Sequence, residues 1–324
     1  MIPRVTRRHR ARVVGARAAG ARGRAFAVVA ALALSAAPSQ AQRERYAPLI
    51  LQLPVSARAV AMGGVSMGMR DVDAAFGNPA LAGGNNTLSV SGARYSSGAS
   101  TGHLATAMNV GPLGVAVGVQ LLDARTRFAD FPARSDVLTD EGVRSTASLG
   151  ADVATSFAWK GMRWGGTVRY VEERFSNVRA TSVAFDVGAS RNYFNGAVTA
   201  GVALQHLGRD LQVGTRRAQL PARASLGATM GGYALSRWLD LGASANVAVR
   251  RDGRAVPAAG GEITYVPIEG VSIAFRGGAR SPELKAERPL TAGLGLSFDR
   301  LSLDYGWEDM RWKGGAHHLT VRLR

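Results

Sequence analysis

The chain has 324 residues, 46% of them hydrophobic, with 40 glycines, 12 prolines and no cysteine. The absence of cysteine excludes a disulfide framework and thiol chemistry, and no run of about eighteen apolar residues exists to form a helical membrane span. The formal net charge is +17, but the eight arginines of residues 1–41, a stretch without acids, leave about +9 for the remainder. Those remaining cations fall in loops and on polar strand positions instead of gathering on one face between aromatics, which argues against nucleic-acid binding.

Residues 1–41 read as an export signal: a basic n-region, an apolar core over Ala25–Ala37, and Ser39-Gln40-Ala41 as a small-x-small cleavage site. Cleavage near Ala41 leaves Gln42 first. The apolar core is too short for a retained membrane helix.

Residues 42–86 do not alternate. Ser56–Met62 can form a short helical turn ended by Gly63-Gly64, and Asn78-Pro79 is a turn starter. The segment fits either a surface arm or a plug tucked inside a barrel. The Gly63-Gly64…Gly68 cluster lacks the Gly-Lys-Ser/Thr ending of a phosphate loop, and backbone flexibility is its expected role.

The order of residues here resembles the amino-terminal signature of the PorV/PorQ family, which is related to the FadL-type fatty-acid transporters. The residues that carry it are Ala57, Arg58, Ala59, Ala61, Met62, Gly63, Gly64, Asp71, Asp73, Ala75, Asn78, Pro79, Ala80, Leu81 and Ala82. The chain departs from the family pattern where Ala80 is followed directly by Leu81. The resemblance covers about thirty residues. It implies that the segment lies inside a barrel of fourteen strands, and it implies two functions: a type IX-like secretion barrel that shuttles cargo, or, among more distant relatives, a channel moving hydrophobic molecules through a lateral opening. A purely structural barrel is the third reading.

From Thr87 onward apolar and polar residues alternate with period two, as in Leu290, Ala292, Leu294, Leu296 and Phe298 against Thr291, Gly293, Gly295 and Ser297. That is a strand signal, and segments of about ten residues suit tilted strands that cross a bilayer. The expected strands are 87–97, 101–111, 113–124, 144–159, 162–175, 180–193, 197–208, 220–231, 239–250, 256–267, 270–281, 289–299, 301–311 and 315–324. Every second connection is tight (Gly111-Pro112, Lys160-Gly161-Met162, Phe194-Asn195-Gly196, Pro267–Gly270, Asp299-Arg300), whereas Arg125–Val143, Arg209–Gln219 and Ser281–Arg288 are longer. Such sorting is the outer-membrane arrangement, with short turns in the periplasm. Trp159, Trp164, Tyr193, Phe194, Tyr233, Trp238, Tyr265 and Phe298 gather at the tight-turn side as an interfacial girdle, with Trp307 and Trp312 toward the other rim.

The fold expected is therefore all-β: a transmembrane antiparallel β-barrel of about fourteen strands over residues 87–324, with residues 42–86 as a plug in its lumen. On the polar, lumen-facing phase lie Asp152, Arg169, Asp186, Arg223, Asp240, Arg250, Glu262, Arg276, Asp304 and Arg322. These charges can pair with one another and with the plug, as buried charges require, or can simply line a solvated wall.

Chemistry is not encoded in a recognisable form. His317 and His318 point to opposite faces of a strand and cannot chelate one metal. No His-x-x-x-His or carboxylate–His cluster appears, and Ser100–His103 falls at a loop with no acidic orienter nearby. No enzymatic activity, metal or cofactor is expected. The expected partners are outer-membrane lipids, secreted cargo proteins or hydrophobic ligands, and barrel-assembly machinery, although the chain ends Leu323-Arg324 where such machinery commonly reads an aromatic residue.

Overall fold

A computed structural model of the chain describes residues 48–69, 71–84, 86–96, 98–123, 145–175, 178–213, 216–284, 286–311 and 314–324. The expected signal segment, the connection Arg125–Val143 and Trp312 lie outside them. The strands are β1 (Thr87–Tyr95), β2 (Ser100–Val110), β3 (Leu113–Asp123), β4 (Ser145–Trp159), β5 (Met162–Phe175), β6 (Val178–Tyr193), β7 (Val198–Gly208), β8 (Leu211–Val213), β9 (Arg216–Ala218), β10 (Arg223–Ala234), β11 (Leu239–Arg250), β12 (Ala255–Ile268), β13 (Val271–Arg280), β14 (Glu287–Phe298), β15 (Leu301–Met310) and β16 (Ala316–Leu323).

Fourteen of these close into one antiparallel barrel, each strand beside its neighbours in the chain and β7 paired directly with β10. The seam is β1 against β16, in register from Leu88↔Leu323 to Tyr95↔Ala316. Closure leaves no unpaired sheet edge, the condition for a sheet to sit in hydrocarbon. The alternation seen in the sequence becomes two faces. Leu301, Leu303 and Tyr305 are exposed while Ser302, Asp304 and Glu308 are buried; Leu88 and Val90 face outward around buried Ser89. An exterior this apolar over a buried polar interior is that of a membrane barrel. The eight girdle aromatics are all exposed at the tight-turn end, from Trp164 at 37% to Phe194 at 80%.

Three features were not legible in the pattern. The connection after β7 holds a separate two-stranded hairpin, β8 against β9, whose three-residue strands are too short for periodicity to register. The strand expected over 220–231 begins and ends three residues later, after Pro221, which supplies no ladder N–H. Strand β14 starts two residues earlier than expected and shifts register between Glu287 and Thr291, around Pro289.

Residues 48–84 run along the inside of the wall. They are mostly irregular: a 3-10 turn at Leu49–Leu51, helix α1 (Ala57–Ala61), and 3-10 turns at Val72–Phe76 and Pro79–Leu81. The expected helical turn is present, with Ser56 at its N-cap and Gly63-Gly64 after it. Asn78 caps the last turn by accepting from Ala80 N at 3.1 Å. Ile50, Leu51 and Leu53 pack with Leu211, Ala218 and Leu220 toward the loop end. Phe76 packs with Ala105, Ala116 and Ala154 of the wall, and Met62, Val65 and Met69 with Ala258. The described part of the segment is mostly buried against inward-facing residues of the wall.

Candidate lumen site

The wall receives the inner segment on glycines. A side chain at Gly260 or Gly278 would overlap the Met62–Gly63 backbone, one at Gly306 the Ala57 carbonyl, one at Gly165 the Pro79 carbonyl, and one at Gly201 the Met67 carbonyl. These lumen-facing glycines let two backbones meet where any larger residue would hold them apart. From the other side, Gly63 and Gly64 adopt φ of +80° and +79°, and a side chain at Gly63 would strike the carbonyl oxygens of Ala259 and Ala279. The expectation of flexibility is thus corrected: the pair serves a left-handed turn pressed onto the wall. Gly63 N donates to Thr291 Oγ1 at 3.0 Å, and Ala57 N to Thr320 Oγ1 at 3.0 Å.

A ladder of ion pairs joins segment and wall. Arg58 of α1 lies 3.0 Å from Glu262 of β12. Glu262 also holds Arg276 of β13, and Arg276 Nη1 reaches Asp304 of β15 at 2.5 Å. Asp304 holds Arg322 of β16, which returns to the inner segment at Asp71 (3.3 Å) and Asp73 (3.6 Å). The sequence readings Arg58, Asp71, Asp73, Glu262, Arg276, Asp304 and Arg322 therefore meet in one network. It forms because period two on four strands turns every polar residue inward at similar depth, and Glu262 and Arg276 are direct cross-strand partners.

A second cluster unites Asp152, Arg169 and Asp186. Arg169 Nε lies 2.6 Å from Asp152 and its Nη2 lies 3.5 Å from Asp186 while donating to Phe76 O at 3.2 Å. His206, absent from the sequence reading, completes it: its ring Nε2 lies 3.0 Å from Arg169 Nη1, and its backbone N donates to Asp186 Oδ1 at 2.6 Å. Arg223 stands apart, donating to Gln205 at 3.0 Å and pairing with Glu283 at 3.4 Å near the loop end; Arg250 shares Glu283 at 3.8 Å. The loop end also has a group that sequence reasoning missed, Arg280 between Glu287 (3.0 Å) and Glu308. Its inward parity was the available signal.

Of the remaining motif residues, Met62 is buried, Leu81 is partly buried, and Pro79 opens the last turn against Gly165. Asn78 Nδ2 donates to Met67 O (3.1 Å) and Ala189 O (3.4 Å), tying the segment to itself and to β6. Arg163, unremarked in the sequence, donates to Ala80 O at 3.0 Å and Ala82 O at 2.8 Å.

Two expectations about histidine are corrected. Carboxylate–His pairs do occur, His103 Nδ1 at 3.6 Å from Asp73 and His318 Nε2 at 3.6 Å from Glu308. His103 lies within β2, not in a loop, and has that acidic neighbour because the inner segment folds back onto the wall. Ser89 donates to the same Asp73 at 3.2 Å, Ser91 opposite His103 pairs with Thr320 at 2.9 Å, and neither ring nitrogen of His103 makes a hydrogen bond among the described residues. A nucleophile–base pair is not assembled there. His317 and His318 do point apart, the former exposed and the latter buried.

Two cavities lie along the wall, and the first of them also borders the inner segment. One of about 380 Å³ at the turn end is lined by Met69, Asp71, Leu81, Arg163, Asn192 and Arg322 among others. The other, about 780 Å³ and almost wholly apolar, is an open groove along the loop-end half of β10–β14, lined largely by outward-facing residues such as Leu226, Pro257, Ala259, Ala279 and Pro289 and by none of the inner segment.

No protein-family model matches the chain, and no curated protein matches it. Among solved structures, it is similar to the toluene transporter TodX of Pseudomonas putida (TM-score 0.55, 12% identity, 82% of this chain and 95% of that one). It is also similar to the toluene transporter TbuX of Ralstonia pickettii (TM-score 0.52, 15% identity, 83% and 95%), and to the monoaromatic hydrocarbon channel CymD (TM-score 0.50, 9% identity, 83% and 94%). At these identities the likeness is one of fold alone.

Proposed function

We propose that the protein is a non-enzymatic outer-membrane barrel that passes hydrophobic small molecules, with residues 42–86 acting as a plug. The observation that supports this reading is the packing of residues 48–84 against the inward face of the wall. A barrel for hydrophilic solutes needs a water-filled bore, whereas here residues 48–84 lie along the wall, bonded to it by ion pairs, capped turns and backbone contacts. A solute that partitions into apolar surface can use a narrow path beside such a segment, and the open groove along β10–β14 adds an apolar surface on the wall itself. The fold neighbours named for toluene and monoaromatic hydrocarbons support the same class of solute. The motif residues Arg58, Asp71, Asp73 and Asn78 would hold the plug closed, and the wall charges Glu262, Arg276, Asp304 and Arg322 would be their counterparts. Asp152, Arg169 and Asp186 would anchor its Phe76 turn, and Arg223 would belong to the outer mouth.

The test is uptake of labelled toluene by cells of a strain poorly permeable to it. Expression of the protein is expected to raise the initial rate several-fold; an unchanged rate would overturn the proposal. The PorV/PorQ-type secretion reading rests on the resemblance of the Ala57–Ala82 motif. Recovery, from gentle detergent purification, of exported proteins sharing a carboxy-terminal domain would favour it over transport.

A further inference from the structure

On one side of the barrel's turn end, exposed cations stand without acidic neighbours. Three consecutive turns around the wall join β4 to β5, β6 to β7 and β10 to β11. Lys160, Arg191 and Arg237 stand at these turns, all exposed. Each cation lies over an aromatic ring: Lys160 Nζ is 4.5 Å from the centroid of Trp159, Arg191 Cζ 5.4 Å from that of Tyr193, and Arg237 Cζ 4.4 Å from that of Trp238. All the cation–π contacts among the described residues are these, in one sector at one end. No aspartate or glutamate occurs in 157–166, 188–199 or 229–239; Asp240, which follows, falls on the inward phase of β11 opposite Thr264. The far side differs: its turns carry Glu269 in one and Asp299 with Arg300 in another, and Arg324 lies beside Arg300, so that acids and cations are mixed there.

We infer that this sector is a binding surface for the phosphate groups of anionic phospholipids in the leaflet that meets the turn end. The ring beneath each cation is outward-facing and belongs to the interfacial girdle, so it sits at headgroup depth. Stacking orients the cation without neutralising it. Its N–H groups remain free to donate to a phosphate oxygen, the strongest kind of partner at that depth. The geometry favours lipid over an acidic protein docking from below. The cations stand beside rings that face the acyl phase, while the turn tips include the uncharged residues Gly161, Asn195 and Ser236.

The experiment places the full chain in nanodiscs of phosphatidylcholine with phosphatidylglycerol and counts retained lipids by native mass spectrometry. The wild type retains phosphatidylglycerol in preference by about tenfold, since several basic contacts add at an anionic surface. Lys160→Gln/Arg191→Gln/Arg237→Gln abolishes the preference, each single change removes part of it, and Arg300→Gln on the far side leaves it intact. The replaced residues are exposed, and the heat-dependent gel shift confirms that each variant is a folded barrel. A wild type without preference, a triple variant that keeps it, or an Arg300→Gln variant that loses it equally would overturn the inference; an acidic protein partner would appear as the first of these.

Discussion

Arg276 shows how one residue couples wall and plug. It lies between Glu262 and Asp304, with Arg58 and Arg322 on their far sides. Replacing it with methionine leaves two buried carboxylates with one cation each. Removing one partner of a buried ion pair costs about 3–5 kcal/mol, and the remaining arginines put this case near the lower figure. The urea midpoint of the refolded barrel in lipid vesicles should fall accordingly for Arg276→Met; an unchanged midpoint would mean that the ladder bears no stability. Parity alone made these charges legible, because period two assigns every other residue to the lumen. It could not show which inward charges meet, since that depends on strand register and on the path of the inner segment. The partners of His103 and His206 were missed for the same reason: Asp73 and Arg169 are distant from them in sequence.

At the level of elements, the inner segment holds its place through close approach more than through regular structure of its own. Helix α1 is five residues long, too short to be stable alone, and is fixed by the wall glycines beneath it. Gly278→Leu should therefore separate the two parts of the molecule. A leucine suits a strand position, but its side chain would occupy the space of the Met62–Gly63 backbone. The variant is expected to keep the heat-dependent gel shift of a folded barrel while residues 48–84 become sensitive to protease. Loss of the barrel, or a segment still protected, would contradict this division. Strands were readable because each carries its own alternation. The 48–84 path was readable only as a break in that alternation, and the β8–β9 hairpin not at all, since three residues carry no period.

For the whole molecule, the same residues answer two solvents. Leucines, valines and girdle aromatics meet the bilayer, and the polar phase meets the segment that fills the lumen. The barrel followed from repetition, loop sorting and aromatic level together. What passes through it did not, because that depends on the narrow space left between segment and wall. The claim most in need of trial is that the inner segment closes the lumen. Conductance of the purified protein in a planar bilayer tests it directly. The intact chain should show no persistent open level, and Gly278→Leu should show stepwise openings as the segment leaves the wall; a steady porin-like conductance from the intact chain, unchanged in the variant, would contradict the account.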